Sequence, residues 1–298
     1  MKKTASLLLF GAALASFSAP VFAADLPPEE PPVIIDNPPV VVEAAGGWYI
    51  RGDVDYSMFK IRGAQYHAGG GLNTFTTAES GKSFSFGGGL GYQITKYFRA
   101  DLTAEYSFKA DFRGSTTGDC TVGGTQPGSC TSVDTSSHSM LLVMANAYAD
   151  LGNYHGFTPY VGAGIGLANV KWNQLSNVAT CAATAPSACD TTFVGYVGDA
   201  TGGSYSETHV GNKSWRGAWS VMAGASYDLT TRLKLDAGYK YTRVQGGPMF
   251  DYAVAGNGTQ GYDNGFNIHS VRAGLRYQFG GGGYSHGGGG YDGGPVYK

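Results

Sequence analysis

Charge is scarce in this 298-residue chain: Asp, Glu, Lys and Arg make up 14% of it, against about a quarter of an ordinary soluble domain. That shortage argues against a conventional water-soluble enzyme. Basic runs are also missing, and 20 Lys and Arg set against 22 Asp and Glu leave a net charge of −2, so nucleic acid is not an expected partner. Hydrophobic residues reach 42%, yet past the extreme N-terminus no unbroken apolar stretch approaches the roughly 18 residues that a membrane-crossing helix needs. A helical membrane protein is therefore excluded. Cysteines number four and the six histidines are scattered, without the paired spacing of a zinc site, so neither a metal nor a cofactor is expected.

What is abundant is Gly, at 48, and Tyr, at 20. The chain opens with Lys2 and Lys3, an apolar run from Ala5 to Phe17, and Val21-Phe22-Ala23, which places small residues three and one positions before a cut. This is the pattern of a secretory signal peptide over residues 1–23, delivering the mature chain from Ala24 to a compartment where disulfides form. Residues 24–46 hold LPPEEPPVIIDNPPV and read as a Pro-rich linker in polyproline II conformation. Residues 280–298, GGGGYSHGGGGYDGGPVYK, are too Gly-rich to pack and read as a flexible tail. Cys120 and Cys130 share one Gly/Ser/Thr-rich segment, and Cys181 and Cys189 share another. Three connectivities exist, and the local one closes at least entropic cost. Two loop staples, Cys120 to Cys130 and Cys181 to Cys189, are the expectation.

Between Gly47 and Phe279 one theme recurs: alternation of apolar and polar residues, then a turn or polar loop. In the stretch 97–113, Phe98, Ala100, Leu102, Ala104, Tyr106, Phe108, Ala110 and Phe112 fall on one face, while Arg99, Asp101, Glu105, Lys109 and Asp111 fall on the other. Similar stretches lie at 48–58, 82–94, 138–151, 158–172, 215–229, 232–244 and 267–279. That makes eight strands. Connections after the second, fourth and sixth are short, whereas those after the first, third, fifth and seventh run to about 23, 23, 42 and 22 residues. An even-stranded antiparallel barrel inserted from one side has this asymmetry, with short turns on the side of entry.

The fold expected is thus all-β, an eight-stranded antiparallel up-and-down transmembrane β-barrel over residues 47–279. A soluble barrel with its apolar face inside has the same periodicity. Rings near the strand ends favour lipid contact: Trp48, Tyr92, Phe98, Tyr160, Tyr227, Tyr277 and Phe279 at the short-turn end, with Phe112, Trp172, Trp215 and Trp219 at the other. Arg51, Arg99, Lys109, Arg216, Lys234, Lys240, Arg272 and Arg276 would then face inward with Asp53, Asp55, Asp101, Glu105, Asp111, Asp228 and Asp236. Charges so enclosed must pair, and a barrel of eight strands is just wide enough for side chains to fill it, which predicts a salt-bridged plug. Arg51-Gly52-Asp53 then belongs to the lumen and not to a cell-attachment site. Gly162, Gly164 and Gly166 make room for inward side chains and do not form a nucleotide loop. His138 and Ser139, and His269 and Ser270, are adjacent and face oppositely, so no hydrolytic pair is expected and the protein is not expected to be an enzyme.

The opening GWYIRGDVDYS, the fifth-strand PYVGAGIGLA and the closing SVRAGLRYQF, ending on Phe279, resemble the small eight-stranded surface proteins of Gram-negative alphaproteobacteria. The group is that of the opacity proteins and OmpA-type barrels, RopB-like members in particular, and the likeness spans about residues 47–279. It implies residence in the outer membrane with both termini periplasmic, contact with outer-membrane lipid and lipopolysaccharide, and a final aromatic strand read by the barrel-insertion machinery. It implies a surface protein that supports envelope integrity and displays long loops. A narrow porin-like channel, or a surface binder of haem or host molecules, are the alternatives. Peptidoglycan is a further partner conceivable for the flanking segments.

Overall fold

The computed structural model describes residues 46–68, 71–119, 129–182, 197–199, 202–253 and 260–279. The proposed signal peptide, the Pro-rich linker, the Gly-rich tail, Cys120 and Cys189 lie outside them. Eight long strands form the wall: β1 Gly47–Ile61, β2 Lys82–Gln93, β3 Phe98–Ser115, β4 Ser129–Asp150, β5 Phe157–Trp172, β6 Lys213–Asp228, β7 Leu233–Val244 and β8 Phe266–Gln278. Each pairs antiparallel with the next, and β8 returns to β1 with Tyr49 opposite Gln278 and Ile61 opposite Phe266. The ring closes, so the long wall strands leave no open edge, as a sheet in hydrocarbon requires.

Three tight turns share one rim with the start of β1 and the end of β8. Two are built alike: Thr95 Oγ1 accepts from the amides of Tyr97 and Phe98 at 3.1 and 3.0 Å, and Thr230 Oγ1 from those of Arg232 and Leu233 at 3.2 and 2.9 Å. In the third, between β4 and β5, Asn153 Oδ1 holds the Gly156 amide at 2.9 Å, and Gly156 adopts φ 89°.

At the opposite rim the long connections are not the polar loops expected from composition. Much of their length is strand. Leu175–Ala182 pairs with the start of β4 and with Gly202–Gly211; the latter pairs with Gly247–Ala253, then Gly261–Asp263, then Ala64–Ala68. Thr77–Ser80 adds to the top of β3. Backbone groups at the rim are satisfied by continuing the ladder upward, which a reading of local composition cannot foresee.

Which face of the wall is wet is settled by exposure. Ile50, Val54, Leu90, Leu102, Val161, Leu167, Val271 and Leu275 all stand on the outside, and Ile165 is 72% exposed. Inward positions carry Arg51, Asp53, Asp55, Arg99, Asp101 and Glu105, all buried. A soluble barrel would show the reverse, and so large an apolar surface requires lipid around it.

One strand breaks parity. Between Ser107 and Ala110 the register of β3 against β4 slips, so Phe108 and Lys109 both face outward and everything beyond changes side. Lys109 and Asp111 therefore point out, not in as expected, while Ala110 and Phe112 enter the core, and Phe112 is withdrawn from the girdle. The slip falls where the outside of the barrel passes from lipid to water, so the same alternating sequence must turn its charged face outward. Tyr160 and Trp172 also face inward on β5, leaving Trp48, Tyr92, Phe98, Tyr227, Tyr277, Phe279, Trp215 and Trp219 as exposed rings.

Candidate functional site: the barrel interior

The interior divides into two halves of different chemistry. At the short-turn end, Arg99 Nε donates to Asp150 Oδ1 at 3.1 Å, and its guanidinium lies over the rings of Tyr148 and Tyr160, 4.2 and 4.7 Å from their centroids. The two terminal nitrogens of Arg99 have no hydrogen-bond acceptor; the ring faces lie against them, and one of the two stands 4.0 Å from Asp236. Arg276 Nε stands 3.3 Å from Asp236, and its NH2 group donates to Ser226 Oγ at 2.9 Å. Ser226 in turn donates to Asp236.

One step up the wall, Arg51 forks onto Asp53 with two bonds of 2.8 Å and reaches Asp101 and the Tyr148 hydroxyl, each at 3.0 Å. Asn146 Nδ2 donates to the other Asp101 oxygen at 2.8 Å. Above that, Arg272 bridges Asp55 and Glu105 at 2.9 and 3.0 Å. Lys240 donates to Glu105 and stands 3.7 Å from Asp55. A pair of hydroxyls, Ser57 and Ser270 at 2.7 Å, ends the charged half. Of the expected inward charges, Lys234 and Asp228 pair at the half-exposed mouth.

Toward the long-loop end the filling turns apolar. Phe59, Phe112, Met140, Val170, Trp172, Val244, Met249, Phe250 and Phe266 form one buried cluster. His138 sits among the rings, with centroids 5.1, 4.9 and 4.8 Å from Phe59, Trp172 and Phe266, and its Nε2 meets Ser80 Oγ at 2.7 Å. An ion pair caps the cluster: Arg216 holds Asp263 at 2.7 Å and also donates to Pro248 O at 2.8 Å. Asp263 further accepts from Trp172 Nε1 at 3.2 Å and the Gly265 amide at 2.8 Å. Burial pushes the Asp263 carboxyl up, and Arg216 pulls it back.

Sequence reasoning placed Arg51, Asp53, Asp55, Arg99, Asp101, Glu105, Arg216, Asp236, Lys240, Arg272 and Arg276 inside, and the structure joins them in these networks. It missed Tyr49, Asn146, Tyr148, Asp150, Tyr160 and Asp263. Tyr49 shares the parity of Arg51 and was legible; Asp263 reaches Arg216 only through the folding of the last loop. Expected room-making glycines are confirmed, though their neighbours lie on the adjacent strands: a Cβ on Gly162 would fall 2.6 Å from the Tyr148 ring, and one on Gly164 2.2 Å from Asn146 Oδ1. His138 faces in and His269 out, each opposed to its serine neighbour. Cys130 and Cys181 are each disulfide-bonded and stand opposite one another in register.

Comparison with known proteins identifies the family. A family model described as the outer membrane protein β-barrel domain matches residues 9–279. An uncharacterised protein of Brucella suis biovar 1 is 36% identical over 268 residues, covering 79% of this chain and 86% of the relative. The outer membrane protein PagN of Salmonella typhimurium is 27% identical over 223 residues, covering 74% and 84%. Among solved structures, the outer membrane protein OprG of Pseudomonas aeruginosa is similar at 13% identity and a TM-score of 0.45, covering 78% of this chain and 96% of that one. The chain belongs to the outer-membrane β-barrel family. It is an integral protein of the Gram-negative outer membrane.

Proposed function

We propose that this protein is a closed, non-conducting and non-enzymatic barrel that contributes to envelope integrity and holds a strand-built platform outside the cell. The observation that carries the reading is the filled interior: paired charges occupy one half, and buried rings around His138 occupy the other. In this reading the short turns and both termini are periplasmic, because the long connections share the far rim and a barrel inserted from within threads only short turns. Cys120 to Cys130 and Cys181 to Cys189 staple the outer loops, and the last strand, with Phe279 directly after it, addresses the insertion machinery. Planar-bilayer recording tests the plug: the purified chain is expected to give no steady conductance, and a reproducible ohmic step would overturn it. Protease added to intact cells tests orientation, with cutting expected inside 183–196 and not in the short turns.

A further inference from the structure

At the long-loop rim two disulfides end on one cross-strand pair. Cys130 lies in β4 and Cys181 in Leu175–Ala182, and the antiparallel register sets them directly opposite one another. Each is disulfide-bonded. Directly opposed residues on antiparallel strands have Cα atoms about 4.5–5.5 Å apart and side chains on the same face. A disulfide spans Cα separations of about 4.4–6.8 Å. A further bond, Cys130 to Cys181, is therefore within reach without moving the backbone.

The rest of the row leaves these two side chains to each other. On its other flank Cys130 is opposite Gly118, and Cys181 is opposite Gly203, which is itself opposite Gly198. Along the row, then, the side chain each cysteine meets across the ladder is the other cysteine. Both have the parity of buried neighbours, Ser132 and Asp134 on one strand and Ala179 on the other. Cys181 is buried, while Cys130 is partly open. A thiol from solvent thus has easier access to the Cys130 side of the pair, and a sulfur freed there lies beside Cys181.

We propose that Cys130 and Cys181 form a thiol–disulfide exchange site, at which opening of the Cys130 bridge by a small thiol is answered by a direct bond from Cys130 to Cys181. With the local staples proposed above, on which this inference rests, the incoming thiolate attacks Cys120 Sγ and forms a mixed disulfide there, and Cys130 leaves as a thiolate. Cys130 Sγ then attacks Cys181 Sγ. The bond from Cys130 to Cys181 forms, the bond from Cys181 to Cys189 breaks, and Cys189 leaves as a thiolate that takes up the proton the small thiol gave. One thiol is consumed and one released, with no net oxidation or reduction. Both rings open together, and the connection between β3 and β4 becomes tied to that between β5 and β6.

The test is disulfide mapping of the full-length protein, folded in non-ionic detergent, with free thiols trapped by N-ethylmaleimide and peptides read by mass spectrometry. Cys120→Ser removes the staple partner of Cys130: the label is expected to shift from Cys130 to Cys189, and a peptide joining Cys130 to Cys181 to appear. Cys189→Ser should in the same way shift the label from Cys181 to Cys120. Label confined to Cys130 in the first variant and to Cys181 in the second would overturn the exchange. In the wild type, substoichiometric reduced glutathione is expected to yield the bond from Cys130 to Cys181 with label on Cys189; glutathione adducts without that bond count against it. Cys120→Ser with Cys189→Ser keeps only the opposed pair, which air oxidation is expected to join. A pair that stays reduced while heat-modifiable gel migration reports a folded barrel sinks the proposal. Mapping of the untreated wild type reads the staples separately: any other resting connectivity overturns the staples, and the double variant still decides whether the opposed pair can bond, so the two failures are distinguishable.

Discussion

The two halves of the barrel interior are enclosed by the same eight strands and filled by opposite means. Near the short turns the strands run through hydrocarbon, so their apolar face must look outward and the polar face is left to fill the centre; Arg51, Arg272, Lys240 and their carboxylates satisfy one another there. Near the long loops the outside of the wall meets water. Charged side chains such as Lys109 and Asp111 turn out, and Phe112, Phe59 and Phe266 close the centre as in a soluble protein. A membrane barrel thus becomes a water-soluble one part way along its own strands, and the bulge in β3 is where one strand makes the change.

The largest effect expected from breaking this contrast is in the charged half. Glu105→Leu leaves Lys240 and Arg272 to share Asp55 alone, and loss of one partner from a buried network costs about 3–5 kcal/mol. Urea unfolding in lipid vesicles should show that loss, and an unchanged midpoint would mean water reaches the site. Next comes Phe112→Ala, expected to cost about 3 kcal/mol through the cavity left beside Trp172, whose ring centroid is 5.3 Å away. Its cost should be insensitive to salt, and a salt-dependent cost would argue that water enters this half. Smallest is Lys234→Ala at the mouth, where the pair with Asp228 is partly solvated and worth under about 1 kcal/mol. A larger loss of stability on the same urea assay would show that the mouth is drier than its exposure implies.

Much of this was legible before any coordinates. The alternation at 48–58 placed Ile50, Val54 and Tyr56 opposite Arg51, Asp53 and Asp55, and the structure keeps every one on its expected side. Tyr160 and Trp172 were misplaced because an aromatic ring near a strand end is equally at home in a girdle or under an arginine. The apolar half of the interior left no local sign, since its members come from seven wall strands and three of the long connections.

Sequence by itself determined the period, the number of strands and the alternation of short with long connections, because these are properties of consecutive residues. Tertiary structure alone decided where inside becomes outside. Period-2 alternation has no absolute sign, and one extra residue at Ser107 to Ala110 reverses it without disturbing the pattern. Only the closed ring, with lipid around part of its height and water around the rest, fixes which side of each strand must be dry.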